Sequence, residues 1–267
     1  MPDFQEIKFL GFLSLKQKIM RYINLYLVSQ HSTNILLSSK TVRKDLKKLN
    51  KKGYLKSKIL RPVFQVKQLS QIPSYKYIKK KYNINKYYFF LPNQYWIHKN
   101  HLMILKCLAT IKSNDIKIVS TGIFNDYRNS DHKNKILNFI KKNKLENNYK
   151  ICGIVPYDDM LSLMAHSIAV INPSKSEGWS STVEQAKSYG KNVLLSNLPV
   201  HLEQNPKRSF FFRTNDINNL SKKLVELNKS FNFKNEIKIV KNELKKNNYK
   251  NSIFASSYIR LICSLIK

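Results

Sequence analysis

From about Lys86 onward, short apolar runs alternate with amphipathic stretches along the chain. Residues 87–91, 116–120, 149–153, 168–171, 193–196 and 210–212 are brief and rich in branched and aromatic side chains, which predicts strands. Between them, residues 101–111, 133–142, 159–166, 181–189 and 217–227 carry apolar positions at helical spacing. Strands that follow one another through helices imply right-handed crossovers and a parallel sheet covered on both faces. The expected fold class is α/β, with a doubly wound parallel sheet.

The front of the chain shows the same alternation in miniature. A helix is expected over 14–30, a strand over 34–38, a helix over 41–51 and a strand over 57–63. That is too little for an equivalent domain, so it reads as a partial second α/β domain. A polar, proline-marked stretch over 66–74 separates it from the larger unit. At the other end, residues 234–267 read as one or two helices, with Phe254, Tyr258, Leu261, Ile262 and Leu265 on an apolar stripe. The expected division is 1–75, 76–232 and 233–267.

A length of 267 residues leaves room for one large or two small domains, and 42% hydrophobic content argues against wholesale disorder. The formal charge of +32 is carried almost wholly by lysine. Such a balance attracts nucleic acid, anionic lipid or phosphorylated substrates. Lysine, asparagine and isoleucine are inflated together, however, as an AT-rich genome would produce with no partner at all. No nucleic-acid-binding module is recognisable, so nucleic acid is the least favoured partner. Cys107, Cys152 and Cys263 sit in apolar surroundings and read as buried thiols of a reducing compartment. No apolar run approaches the ~18 residues that span a bilayer, and Met1 to Glu6 lack the features of a signal peptide. The expected location is cytoplasmic, with peripheral attachment to the inner face of a membrane left open.

The chemistry concentrates in one segment, Asn172-Pro173-Ser174-Lys175-Ser176-Glu177-Gly178-Trp179-Ser180-Ser181-Thr182-Val183-Glu184-Gln185. An apolar strand feeds a polar loop that ends in a helix start, where free N–H groups and the helix dipole favour anions. Glu177, just upstream, is suited to accept hydrogen bonds from sugar hydroxyls. Together they point to a site for a nucleotide sugar. A phosphate site also wants a cation, and the loop after the first large-domain strand offers Lys99 at a helix opening, at the carboxyl end of the sheet where open α/β folds bind ligands.

Those segments, with Asn93-Gln94-Tyr95-Trp96-Ile97-His98-Lys99-Asn100-His101, Gly153-Ile154-Val155-Pro156 and Leu198-Pro199-Val200-His201-Leu202-Glu203-Gln204-Asn205-Pro206, resemble the retaining GT-B glycosyltransferases of the group 1, family 4 type. The resemblance covers residues 85–230 strongly and 2–65 faintly. It implies a donor-binding domain, a metal-independent transfer with retention, and a sugar moved from a nucleotide diphosphate to a lipid- or polysaccharide-linked acceptor. In that scheme Glu177 and Lys99 are the catalytic residues, one holding donor-sugar hydroxyls and the other neutralising the diphosphate. Gly178, Trp179, Ser180, Ser181 and Thr182 line the same place, Gly153, Val155 and Pro156 line the nucleobase, and Thr121 and Gly122 end a strand at the same rim. Pro2-Asp3-Phe4-Gln5, followed by Glu6, resembles the family's interdomain loop. No cofactor and no metal are expected.

Two positions depart from the family pattern. The second glutamate of its E-x7-E pair falls on Gln185, which is either a ribose contact or an ordinary helix residue. Glu184, one position earlier, lies about 100° away around the helix and reads as an exposed carboxylate. The arginine that usually precedes the phosphate lysine is Gln94, with Lys117 and Lys175 as candidate replacements. His98 and His101 lack a third ligand and read as loop packing or capping. Trp96 and Trp179 read as wall residues. The front of the resemblance lacks much of an acceptor domain, so an N-terminally truncated or inactive remnant, or a split enzyme completed by a separate acceptor-domain chain, stands beside the active-enzyme reading.

Overall fold

The structure is a computed structural model that describes residues 4, 15–64, 66–125, 129, 131–246 and 250–266, without the side chains at 250–253 and 265–266. The expected loop residues Pro2, Asp3, Gln5 and Glu6, the helix start at Ser14 and the Leu265 side chain lie outside the described residues.

The front elements are α1 (Leu15–His31), β1 (Ile35–Leu37), α2 (Lys40–Leu49), α3 (Lys51–Leu55) and β2 (Ser57–Ile59). β1 and β2 pair in parallel, Ile35 opposite Ser57. The helix expected over 41–51 is two helices because Asn50 takes extended dihedrals and accepts the Gly53 N–H on its side chain, capping a new start. The strand expected to reach residue 63 ends at Ile59, shortly before Pro62, which has no N–H to give to a ladder. Phe4, Ile35, Leu37, Val42, Leu46 and Leu49 form a small core there.

The main unit follows: α4 (Tyr75–Lys81), β3 (Phe89–Pro92), α5 (His101–Ile111), β4 (Ile118–Thr121), α6 (Asp131–Lys142), β5 (Tyr149–Ile151), α7 (Tyr157–Ala165), β6 (Val170–Asn172), α8 (Ser181–Ser188), β7 (Val193–Ser196), α9 (Pro199–Gln204), β8 (Ser209–Phe212) and α10 (Ile217–Ser230). Then come α11 (Phe233–Lys246) and α12 (Lys250–Ile266). The six strands run in the order β5-β4-β3-β6-β7-β8, and every pairing is parallel. The expected α/β class is the observed one. Sequence pattern did not foresee α4 or the six-residue α9.

Alternation along the strands divides the core in two. Phe89, Leu91, Ile118 and Leu194 face α5, α6 and α10, while Phe90, Val119, Val193 and Leu195 face α4, α7, α8 and α11. Phe89, Phe90 and Leu91 are fully buried, each contributing roughly 1.5–3 kcal/mol through burial. The connection from β3 leads to β4 on one side, whereas β6 lies on its other side. The strand order therefore reverses between β3 and β6, and a crevice opens there at the carboxyl ends.

Helix α11 is fastened to the sheet unit through one buried carboxylate. Glu236 accepts from Lys191, wholly buried, at 2.7 Å and from Arg208 at 2.8 Å. On α12, Phe254, Leu261 and Ile262 are half-buried, but Tyr258 is exposed, so the expected apolar stripe is only partly covered. Cys263 is exposed on the same helix and Cys152 is partly exposed; of the three cysteines, Cys107 alone is fully buried. The expectation of three buried thiols fails for Cys263 because helical periodicity turns it to the uncovered side. Among the described residues, no helix is long and apolar enough to cross a membrane.

Candidate active site

The two loops that flank the reversal point carry the expected pair. β3 stops at Pro92, and a 3-10 turn over Ile97–Lys99 ends at Asn100, which takes a left-handed conformation (φ 59°) that asparagine tolerates. α5 begins immediately after, leaving Lys99 at its mouth. On the other side, β6 stops at Asn172, and Ser180 accepts the Val183 N–H to open α8. The two loops are joined directly. The Lys175 N–H donates to the His98 carbonyl at 2.7 Å, and the Asn100 amide donates to the Pro173 carbonyl at 3.2 Å.

At the centre, the Lys99 amine donates to Glu177 Oε1 at 2.6 Å, with the two side chains 14% and 7% exposed. Ser174 Oγ lies 2.7 Å from the same oxygen and 2.6 Å from Asn172 Oδ1, with one proton to give between them. Asn172 Nδ2 in turn donates to Ser180 Oγ at 2.8 Å, tying the carboxylate's support to the helix cap. Burial pushes the Glu177 carboxyl up, but the charge of Lys99, with His201 and the Lys99 and Ser174 hydrogen bonds, outweighs it and holds the pKa below the usual value. Glu177 is thus a fixed carboxylate, buried and oriented.

The remaining expected residues lie along the same rim. Gly122 follows Thr121 at the end of β4 and donates its N–H to the Gly153 carbonyl at 2.8 Å. Gly122 holds φ +134°, and a Cβ there would stand 2.7 Å from the Asn93 carbonyl, so the position needs glycine. Gly153, at φ +65°, turns the chain from β5 toward Val155 and Pro156, and Pro156 caps α7. Thr182 is not a free hydroxyl: it donates to the Pro92 carbonyl at 3.3 Å. The Gly178 carbonyl accepts from Ser39 at 3.0 Å, and Trp179 is half-buried under Arg61, whose guanidinium sits 5.8 Å from the ring centre. Ser181 is exposed at the first turn of α8.

The departures resolve into structural partners. Gln185 is buried and donates to the Tyr157 hydroxyl at 3.0 Å. Glu184 is not the exposed carboxylate expected: its side chain is 15% exposed, and it accepts from Gln204 at 3.1 Å. Gln94 Oε1 accepts the Ile123 N–H and so braces the β3 loop against the β4 loop. Lys117 cannot stand in for a missing cation here. It precedes β4 and lines a cavity of about 430 Å³ at the amino ends of β3, β4 and β5, opposite the crevice. Lys175 does lie beside the Lys99 loop, on a second cavity of about 430 Å³ shared with Asn100 and Thr214.

His98 and His101 are both buried. His101 is fully buried, stacks on Tyr95 with centroids 4.0 Å apart, donates from Nε2 to the Gln94 carbonyl and accepts at Nδ1 from Tyr149. Burial lowers its pKa to about 3, so it is neutral. Among the described residues no group of three or more His, Cys, Asp or Glu is placed to hold a metal.

Sequence reasoning gave no individual role to α9, although its residues brace the loop. His201 Nδ1 donates to the Ser196 carbonyl at 2.8 Å, and Ser196 Oγ donates to the Ser174 carbonyl at 2.6 Å. Gln204 donates to the Ser180 carbonyl at 2.9 Å. Glu203 reaches the other way, to the N-terminus of α2 and Arg61. The signal was present in Pro199-Val200-His201-Leu202-Glu203-Gln204, a polar helix opening directly after a core strand.

Comparison with known structures agrees with this architecture. A glycosyltransferase from Rickettsia africae superposes with a TM-score of 0.70 at 17% identity. HepE from Anabaena, in complex with UDP and glucose, superposes at 0.73 and 14% identity. A mutant of S. aureus TarM, in complex with Fondaparinux, alpha-GlcNAc-glycerol and UDP, superposes at 0.67 and 13% identity. These matches cover 88%, 91% and 91% of this chain but 64%, 66% and 46% of the others, so the chain spans about two thirds of the first two and less of the third. Comparison with curated protein sequences gives no match. The family model described as glycosyl transferases group 1 matches residues 75–249, the stretch that carries the sheet, the crevice and the Lys99–Glu177 pair. The chain belongs to the group 1 glycosyl transferases.

Proposed function

We propose that this chain binds a nucleotide-diphosphate sugar and takes part in transferring the sugar, with retention, to a lipid- or polysaccharide-linked acceptor. The observation that carries this reading is the Lys99–Glu177 pair at the reversal point of the sheet. Lys99 turns from Glu177 to the diphosphate and neutralises the charge that grows as the glycosidic bond breaks. Glu177, still oriented by Ser174, accepts from donor-sugar hydroxyls. Backbone N–H groups from Gly178 to Thr182 support the phosphates, and Gly153, Val155 and Pro156 line the base beside Thr121 and Gly122. The leaving group is stabilised by side-chain and backbone charge, with no metal assigned a role.

In this scheme residues 76–232 form the donor side, 1–75 belong to the acceptor side, and 233–267 return toward it. The last point has support in the Lys58 donation to Ser264 at 3.0 Å. HepE, seen with UDP and glucose, and TarM, seen with a glycan and UDP, support a nucleotide sugar and a glycan as the two substrates. A basic chain working against an anionic membrane fits an acceptor of lipid type.

A second reading keeps the fold and donor site without independent turnover. Its specific support is that Gln185 and Gln94, where the family pattern has a glutamate and an arginine, are committed to Tyr157 and Ile123. An acceptor half on another polypeptide would then complete the enzyme. Incubating the purified chain with a panel of nucleotide sugars and acceptors, and following the anomeric proton by NMR, separates the two. An α-donor giving an α-product supports retention and activity. Turnover only on co-expression with a second chain supports the split form, and an inverted product overturns the retaining assignment.

A further inference from the structure

The front elements touch the site loop at several points, and Glu203 is common ground between them. Its carboxylate accepts the Lys40 and Thr41 N–H groups at 3.0 and 3.2 Å and the Arg61 guanidinium at 2.8 Å. The first two are unsatisfied donors at the start of α2, a ten-residue helix, where negative charge is favoured. Ser39, the cap of that helix, is fully buried, and its hydroxyl donates to the Gly178 carbonyl while accepting the Val42 N–H. Arg61, held by Glu203, covers Trp179. The neighbouring residues of α9, His201 and Gln204, grip the same loop from behind through Ser196 and Ser180.

We propose that Glu203 is a positioning residue that clamps the front elements onto the Gly178–Trp179 loop and so sets the geometry of the donor crevice. The clamp has two jaws. One is the α2 N-terminus, which brings Ser39 to Gly178. The other is Arg61, which brings a cation over Trp179. The helix donors and the guanidinium both require an anion between them, so a glutamine keeps one acceptor and loses the charge, while an alanine loses both. The role in donor binding rests on the functional reading given above; the clamp itself rests only on the contacts.

The test uses the full chain with Trp96→Phe, so that Trp179 is the sole tryptophan. In that background Glu203→Gln, Glu203→Ala and the swap Glu203→Arg with Arg61→Glu are compared by acrylamide quenching of Trp179 and by UDP titration. The expected result is greater quenching and a red shift in every variant, with UDP affinity weakened about fivefold or more. The charge swap does not rescue, because it places a cation against the α2 N-terminus; a surface ion pair without the helix would be restored by it. Unchanged Trp179 quenching in Glu203→Gln and Glu203→Ala, or full rescue by the swap, overturns the proposal. Should Glu203→Ala fail to fold, Glu203→Gln alone decides it. If the parent chain binds no UDP while Trp179 still becomes exposed, the donor reading falls and the clamp stands.

Discussion

Lys99 and Glu177 lie 78 residues apart in the chain and 2.6 Å apart in space. Each is delivered by the loop after a core strand, and the strands that deliver them are neighbours across the point where the sheet reverses. Breaking one half of such a buried pair leaves a charge without its counterpart, a loss of about 3–5 kcal/mol. Lys99→Met is therefore expected to lower stability more than Lys99→Met combined with Glu177→Gln. Guanidinium unfolding of the two singles and the double measures this, and additive losses would deny the coupling.

Acid acts on the buried histidines. His101 is pulled down to about 3 and His166 to about 4, each mainly by burial. Between these values and the unfolded value near 6.5 the unfolded chain binds more protons, so stability falls as pH falls through that window. At pH 5 each contributes a loss of about 2 kcal/mol relative to pH 7. Denaturant midpoints at the two pH values check the slope. His101→Asn is expected to be less stable at pH 7 but to lose less on acidification.

The Lys191–Glu236 pair gives an asymmetric prediction. Lys191 is fully buried, and burial lowers its pKa to about 8 despite Glu236. Glu236→Ala strands that cation and is expected to cost about 3–5 kcal/mol, whereas Lys191→Met costs less, because Arg208 still pairs with Glu236. Thermal melts of the two variants rank them, and equal losses would show that the pair is not what fastens α11.

Gly122→Ala forces a side chain into a left-handed position against the Asn93 carbonyl. The expected cost is about 1–3 kcal/mol, with the Lys99 loop displaced and nucleotide binding weakened. Proteolysis of the loop and calorimetry on the same variant distinguish this from a local change without effect on the site.

The strand-rich core and both site loops could be read from the chain because their signals are local: apolar runs, followed by polar residues of defined chemistry. Glu177 and Lys99 needed only that, plus the rule that loops after parallel strands share one end of the sheet. The same rule removes Lys117, which stands at the amino end of its strand, away from the loops that follow the strands. Gln94, Gln185 and Glu184 were harder, since their roles depend on Ile123, Tyr157 and Gln204, partners that pattern cannot name. The six residues of α9 are too few for helical periodicity, so the brace behind the loop stayed hidden even with its residues in view. Cys263 shows the opposite failure: apolar neighbours along a helix do not bury a residue on its uncovered face.

Isothermal titration of the chain with UDP and GDP, repeated for Lys99→Ala and Glu177→Gln, bears most directly on the donor site. Saturable binding of at least one nucleotide is expected, weakened about tenfold or more by Lys99→Ala, the loss that follows when a charge-assisted phosphate contact of about 1.5–3 kcal/mol is removed. Absence of binding to either nucleotide at millimolar concentration, or an affinity indifferent to Lys99, would contradict it.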